Sequence, residues 1–335
     1  MISLWLEKRR KKAQNTVLGV EYDHASLAAV KLNKTGENCS LVSCDSQIFS
    51  SEAYFEGNLT TDYIGNILSN IIAENKLSRF TKLGFTSYKD IDVSKEEIIC
   101  DKKSLELISK EGTSFYLREQ FFKKKYPNDY ANIAFDYYDE SQDKGVITVY
   151  YINETKSLEK LYAIASKTKK ALAVCTLDKQ ALTNFAKELY LSELSKSAKD
   201  SIFLGLYVDK LCIYGFTPKG ELKNYESVKI FDSKIDDTSY IDEAIQLLLR
   251  FMDFMSLDFS EDSDFDNFSD QENVVYIYGI KDGLESIVES IKEFSMKDCR
   301  ILDPFINIDC EQFDEKIKQP YRFVMPIAIA LREAL

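Results

Sequence analysis

Histidine is almost missing from this chain of 335 residues: His24 is its one imidazole. Any Ser–His or Cys–His hydrolytic mechanism would have to use it. It stands in a short turn between two strands, where histidine tolerates unusual backbone angles, so chemistry of that kind is set aside. The same scarcity argues against a Cys/His metal site. The seven cysteines, at 39, 44, 100, 175, 212, 299 and 310, include no CxxC pair. Most lie in apolar runs such as Ala173-Val174-Cys175 and Leu211-Cys212-Ile213, as buried free thiols of a reducing compartment do. No apolar run approaches the roughly 20 residues that span a bilayer. A secretory signal is not expected either, because the apolar residues 2–6 come before the charges at 8–12, the reverse of the usual order. An excess of positive charge is also lacking. With 43 Lys and Arg against 55 Asp and Glu, the net charge is −12, which excludes nucleic acid as a general partner.

What is present is ordinary globular composition, 45% apolar and 29% charged, with a heavy aromatic load of 20 Tyr and 21 Phe. That load suits large cores or adhesive grooves. The length allows two domains, or two lobes with an insertion.

The organisation is marked by an internal echo. Residues 16–22 and 26–32 form strands around a tight turn at Asp23-His24, and a second turn at 33–36 leads to a third strand at 39–43. The same grammar returns at 202–208, 211–216 and 222–230, with turns at Asp209-Lys210 and at 217–220. Gly36 and Gly220 mark equivalent turns 184 positions apart. Two meanders at that distance imply two lobes of similar topology rather than a solenoid. Amphipathic helices are expected at 63–74, 240–255 and 284–294, each with apolar residues at i, i+3 and i+4, and a strand at 274–278. The stretch from about 95 to 190 fits neither meander. A helix at 114–125, strands at 133–138 and 145–152, helices at 156–169 and 179–194, and a strand from Ala171 suit a small α+β module inserted in the first lobe.

Three local patterns invite functional readings. Residues 256–273 are acidic and without a basic residue, which favours a solvated loop. Within them Asp262, Asp264 and Asp266 have the spacing of a calcium loop, but Asn267 and Asn273 stand where glycine and the bidentate glutamate belong. Trp5 beside Lys8, Arg9, Arg10, Lys11 and Lys12 suits contact with an anionic membrane surface through residues 1–12, a solvated tail being the plainer alternative. Leu18-Gly19-Val20-Glu21-Tyr22-Asp23 has the form of a phosphate-clasping hairpin, with an acid at the strand end and small residues that let backbone amides approach.

These residues, taken in order, resemble the type IV pilus assembly PilM family. The apolar start and basic cluster, Leu18-Gly19-Val20-Glu21 and Val30-Lys31-Leu32 match its opening. Asp303-Pro304-Phe305 and Ala328-Ile329-Ala330-Leu331-Arg332 match its close. Tyr126-Pro127 followed by Asp136, and the helix leading to Leu177-Asp178, look like its inserted module. The likeness is ordered over nearly the whole chain, and the family is similar to the cell-division protein FtsA and to the cytoplasmic domain of type II secretion protein L.

The resemblance implies an α/β, two-lobed, actin-like (ribonuclease-H-like) fold. Its expected parts are a basic tail at 1–15, a first lobe at 16–95 and 186–199, an inserted α+β module at 96–185, and a second lobe at 200–335 containing the acidic loop. The remnant nucleotide site would comprise Gly19, Glu21, Asp23, Gly205 and Gly279. The chain departs from the family there: Glu21 replaces aspartate, Asp23-His24-Ala25 replace small or hydroxyl residues, and Ala28 replaces a lysine. Gly205-Leu206-Tyr207 lacks an acid and puts a bulky ring where glycine admits phosphate, and Gly279 is followed by Ile280. Each change removes close backbone approach or the metal-placing acid. The expectation is therefore a non-enzyme, with no catalytic residue, no metal ligand and no required cofactor, ATP with magnesium being the alternative.

The implied role is a cytoplasmic scaffold at the inner membrane that binds the N-terminal cytoplasmic peptide of a PilN-like protein, with the pilus motor ATPases and the platform protein as further partners. The aromatic residues Phe115, Tyr116, Phe121 and Phe122 are candidates for the peptide groove, a core role being the plainer reading of each. The rival functions are an active actin-fold ATP switch of the same machine, and a type II secretion module. The latter normally continues into a membrane helix, and none follows before Leu335.

Overall fold

The structure is a computed structural model that describes residues 17–35, 38–55, 58–86, 93–127, 130, 133–141, 145–152, 156–197, 199–230, 237–256, 273–313 and 317–331. The basic tail, Gly36, the acidic residues from Asp258 to Glu272 and Arg332 lie outside the described residues. The described residues fall into two compact units, one within 1–86 and 164–335 and the other within 87–163.

The first unit opens with a meander of β1 (Val17–Tyr22), β2 (Ser26–Thr35) and β3 (Asn38–Ile48). β1 is buried along most of its length, as its nearly continuous apolar run requires of a strand flanked on both sides. Its turn into β2 is held by Asp23, whose Oδ1 accepts the amides of Ala25 at 2.7 Å and Ser26 at 2.9 Å, the usual use of aspartate in a tight turn. β2 runs further than expected. Asn33, Lys34 and Thr35 pair with Ser40, Cys39 and Asn38, so the bend at 33–36 is delayed. α1 (Thr61–Glu74) begins where the Thr60 hydroxyl accepts the Tyr63 amide at 3.4 Å, and it buries Ile64, Ile67, Leu68 and Ile71. β4 (Lys82–Thr86) then runs parallel to β1.

The second unit is a three-stranded antiparallel sheet with helices. It comprises β5 (Val93–Ile99), α2 (Lys102–Glu111), a continuous helical run α3 (Thr113–Tyr116, Leu117–Phe122, Lys123–Lys125), β6 (Ala134–Glu140) and β7 (Val146–Ile152), in sheet order β5-β7-β6. Asp101 caps α2 by accepting the Ser104 amide at 2.8 Å. Gly112, at φ 90°, ends it, a conformation glycine adopts without a Cβ penalty. The middle of α3 is wound more widely, as a π-helix. The core gathers Leu117, Phe122, Ile133, Ile147, Val149 and Tyr151.

α4 (Lys156–Lys167) leads to β8 (Leu172–Thr176), which pairs parallel with β4. β8 therefore completes the first sheet, in the order β8-β4-β1-β2-β3, and the module expected at 96–185 is too long at its end. The first-lobe segment expected to reach residue 95 is too long as well, since Val93, Ser94 and Lys95 pair with Ile152, Tyr151 and Tyr150 of the other sheet. The single helix expected at 179–194 is two, α5 (Asp178–Glu188) and α6 (Leu191–Leu194). The Phe185 carbonyl accepts both the Leu189 and Tyr190 amides, and Tyr190 turns inward to stack on Phe185 at 5.5 Å. Burying that ring is what breaks the helix.

The second meander is β9 (Ser201–Leu206), β10 (Lys210–Phe216) and β11 (Leu222–Lys229). β11 alternates half-buried and exposed positions, as an edge strand does. α7 (Asp237–Ser256), β12 (Val275–Gly279), α8 (Leu284–Ser295) and β13 (Cys299–Ile301) follow. The sheet order β11-β10-β9-β12-β13 repeats that of the first sheet: an antiparallel meander extended by two parallel strands. α9 (Val324–Ala330) is buried at every described helical position except Ala330. It rests on a glycine floor, for Gly19 and Gly84 are ladder partners of β1 and β4. A Cβ on Gly19 would lie 2.0 Å from the Pro326 carbonyl oxygen, and one on Gly84 would lie 2.7 Å from Ile329.

Candidate functional site

The turn after β1 and the turn after β9 meet between the two meanders of the first unit. Asp23 Oδ2 accepts the Val208 amide at 3.4 Å, and the Ser26 hydroxyl donates to the Ile280 carbonyl at 3.1 Å. The Tyr240 hydroxyl donates to the Tyr207 carbonyl at 2.8 Å. Glu21, Asp23, Ser26, Tyr207, Tyr240 and Tyr278 are all buried. Gly205 lies beneath the rings: a Cβ there would be 2.9 Å from Tyr278 and 3.0 Å from Tyr207. Gly279 adopts φ 137°, and a Cβ would lie 2.1 Å from the Leu206 carbonyl oxygen.

Burial dominates the electrostatics. It pushes the Glu21 carboxyl up to about 8 against the bond from Tyr207 and the charge of Lys210, with Asp23 and Asp178 adding repulsion. Glu21 is therefore protonated and neutral at pH 7. Burial likewise drives the phenols of Tyr207 and Tyr278 far above the usual range. Lys210 stays charged. Burial works against its ammonium, but Cys212, Asp178 and Glu21 outweigh it and raise it above the ordinary lysine value. Its Nζ pairs with Asp178 at 3.3 Å and lies 4.8 Å from the Tyr207 ring centroid.

The five residues expected at a nucleotide site are thus all found around this junction or supporting it, with other roles in the packing. Gly19 seats α9. Gly205 admits two tyrosine rings. Gly279 lets β12 pass the end of β9. Asp23 takes up the amides of Ala25, Ser26 and Val208, three donors of the kind a phosphate would need. Lys210, Asp178 and Tyr240 complete the cluster. No site motif marked Lys210 or Tyr240, and Asp178 entered only through the Leu177-Asp178 likeness, because their partners lie far away in sequence.

The aromatic groove candidates separate. Phe122 is fully buried at the centre of the second unit's core, packed against Phe135 and Tyr151 at ring distances of 4.9 and 5.1 Å. A side chain without exposed surface cannot line a groove, and Phe122 is corrected to a core residue. Phe121 packs edge-on against it at 5.0 Å. Tyr116 accepts from the Ser104 hydroxyl at 3.1 Å. Phe115 alone of the four is exposed, at 45%. Beside this core, Lys125 donates to the Tyr151 hydroxyl at 2.7 Å and also bonds Glu96, which itself accepts from Tyr151.

Of the cysteines, 39, 44, 100, 212 and 299 are buried, Cys310 is half-buried and Cys175 is exposed, contrary to expectation for its apolar run. Among the described residues no group of three or more His, Cys, Asp or Glu side chains is arranged to hold a metal ion. The suggested calcium residues lie outside the described residues. A surface pocket of about 460 Å³ lies beside Tyr276 on the second sheet. The charges on its rim pair among themselves, Lys196 with Glu193 at 2.5 Å and Arg300 with Asp298 at 2.6 Å.

No family model matches the chain, and no curated protein matches its sequence. Solved structures do. One is a Bacteroides thetaiotaomicron protein with actin-like ATPase fold and unknown function (13% identity, TM-score 0.45, 96% of this chain and 98% of that one). Another is the cytoplasmic domain of EpsL, an inner-membrane component of the Vibrio cholerae type II secretion system (8% identity, TM-score 0.38, 93% and 92%). A chain of a PilM-PilN type IV pilus biogenesis complex aligns at TM-score 0.62 with 12% identity, over 95% of this chain and 98% of that one. The chain shares the fold of that chain, the two-lobed actin-like α/β architecture. The actin-like lobes are the two repeated sheets, and the buried Glu21–Tyr207 cluster occupies the junction between them.

Proposed function

We propose that this chain is a non-enzymatic adaptor of a type IV pilus machine, held at the cytoplasmic side of the inner membrane by the short cytoplasmic peptide of a PilN-like protein. The observation that carries the reading is the end-to-end likeness to a chain of the PilM-PilN complex, 95% of one chain on 98% of the other. Two features support it. The amides that would clasp a phosphate are bonded to Asp23, which favours a scaffold over an ATPase. No helix among the described residues is long and apolar enough to cross a membrane.

The mode of binding would be an extended peptide whose apolar side chains enter pockets along a preformed groove. Phe115 is the exposed aromatic candidate for it. The adaptor would pass the contact on to the motor ATPases and the platform protein, with the basic residues at 8–12 adding attraction to anionic lipid.

The test is a calorimetric titration of the full chain with the cytoplasmic peptide of its PilN-like partner, with and without Mg·ATP. One-to-one saturable binding, equal in both conditions and weakened by polar substitution in the peptide, is the expected result. Absence of heat at high peptide concentration would sink the adaptor role. Peptide binding that requires Mg·ATP would move the ATP-switch reading ahead.

A further inference from the structure

The chain passes between the two lobes twice. The first crossing leaves β8 through α5 and α6 and enters β9. The second leaves β13 and returns to α9, which is seated on the glycines of the first sheet. Asp303-Pro304-Phe305 opens the second crossing.

Residues 302–309 of that crossing are tied at both ends. The Leu302 amide donates to the Ile277 carbonyl of β12, in the second sheet, at 2.9 Å. The Asp309 amide donates to the Cys39 carbonyl of β3 at 3.0 Å, and the Leu41 amide donates to the Asp309 carbonyl at 2.9 Å. Asp309 thus adds a one-residue parallel bridge at the β3 edge of the first sheet. Between the ties the chain is folded into turns. Asp303 Oδ1 accepts the Phe305 amide at 2.9 Å, as aspartate does at a turn, and Pro304 fixes its own φ. The Phe305 carbonyl accepts the Ile308 amide at 2.9 Å. Phe305 and Ile308 are buried, and the Phe305 ring meets Phe323, just before α9, edge-on at 5.8 Å.

Asn307 joins the second crossing to the first. Its Nδ2 donates to the Leu189 carbonyl at 2.5 Å and to the Ser192 hydroxyl at 3.2 Å. Leu189 ends α5, and Ser192 lies in α6. A helix end leaves carbonyls without intrahelical partners, and Asn307 supplies a donor to one of them. A change in the angle between the lobes would bend both crossings. Bonded to each other, they have to move together or lose these bonds.

We propose that residues 302–309 are a hinge strap. Fastened to both sheets and, through Asn307, to the other crossing, they hold the two lobes at one angle. The inference stands apart from the adaptor reading and does not depend on any partner.

Two measurements on the full-length protein test it. Residual dipolar couplings of the backbone amides in the two repeated sheets are expected to fit one alignment tensor, with equal order, in the wild type. In Asn307→Ala the order of the two sheets should separate. Amide exchange reads the ties one by one: those of Leu41 and Asp309 should exchange about tenfold faster in the variant, as follows from losing roughly one or two hydrogen bonds. Amides in the middle of β9 and β12 should keep their rates. Asn307→Asp cannot donate to the Leu189 carbonyl and should behave like Asn307→Ala. The strap is overturned if the wild-type sheets need two different tensors, or if Asn307→Ala leaves their order equal. It is also overturned if exchange rises only at residues 305–308 or evenly through the chain. Should neither variant fold, the wild-type couplings decide alone: unequal order refutes the strap, and equal order upholds it.

Discussion

Glycine carries a different meaning at each place it occurs here. Gly19 looks like a residue that lets a phosphate approach β1, yet the neighbour it admits is the Pro326 carbonyl of α9. The spacing of residues 18–23 is the same for either use. A missing Cβ shows that something approaches closely, and only the fold shows what. Gly19→Ala would put a carbon within 2.0 Å of that oxygen. Overpacking of this severity costs about 1–3 kcal/mol or more. Denaturant unfolding should show a lower midpoint at unchanged slope, and a wild-type midpoint would mean that α9 shifts freely. Asp23 is the opposite case. Aspartate at the head of a tight turn is legible locally through Ala25 and Ser26, while its second oxygen serves Val208 across 185 positions.

Helices and strands were legible wherever their apolar pattern was regular. The stripe Ile64, Ile67, Leu68 and Ile71 predicts α1, and the structure buries those four side chains. The break between α5 and α6 was not legible, because it follows from the inward stacking of Tyr190 on Phe185 and not from a helix-breaking residue. The helix α2 and the strand β5 were missed for a related reason. α2 buries only Ile108, too little to form a stripe, and its Asp101 cap and Gly112 stop bracket a mostly polar segment. In α3 the four aromatic residues look interchangeable, but helical rotation sends Phe122 inward and leaves Phe115 in solvent. Phe122→Ala should destabilise the second unit by about 3–5 kcal/mol, measured as faster exchange of the β7 amides. Phe115→Ala should leave those amides unchanged. Equal effects of the two would contradict the assigned packing.

At the scale of the whole molecule, the buried Glu21 couples stability to pH. Its carboxyl ionises near 4.5 when exposed and near 8 in the folded protein. The folded state therefore binds the proton more tightly, and its stabilising share is complete below pH 4.5. As pH rises from about 4.5 to 8 the unfolded state is favoured progressively, by about 1.4 kcal/mol per pH unit from this group. Glu21→Gln is nearly isosteric and cannot ionise. It should flatten that part of the stability profile and raise stability relative to the wild type at pH 8, compared by denaturant unfolding at both ends of the range. A variant profile parallel to the wild type would show that Glu21 is charged in the folded protein.

The meanders, the amphipathic helices and the two-lobed plan follow from patterns that repeat within about ten residues, because backbone periodicity and turn chemistry are local. Even the departure at Tyr207 is visible in sequence as a bulky ring after Gly205-Leu206. What the ring does there is not visible. The bond of Tyr240 to the Tyr207 carbonyl, the Val208 amide on Asp23, the seat of α9 on Gly19 and Gly84, and the pairing of β8 with β4 all join segments far apart in the chain. No short-range pattern selects one such partner over another. Burial does, once the lobes pack, because each polar group removed from water has to be satisfied by whichever residue the fold brings within reach.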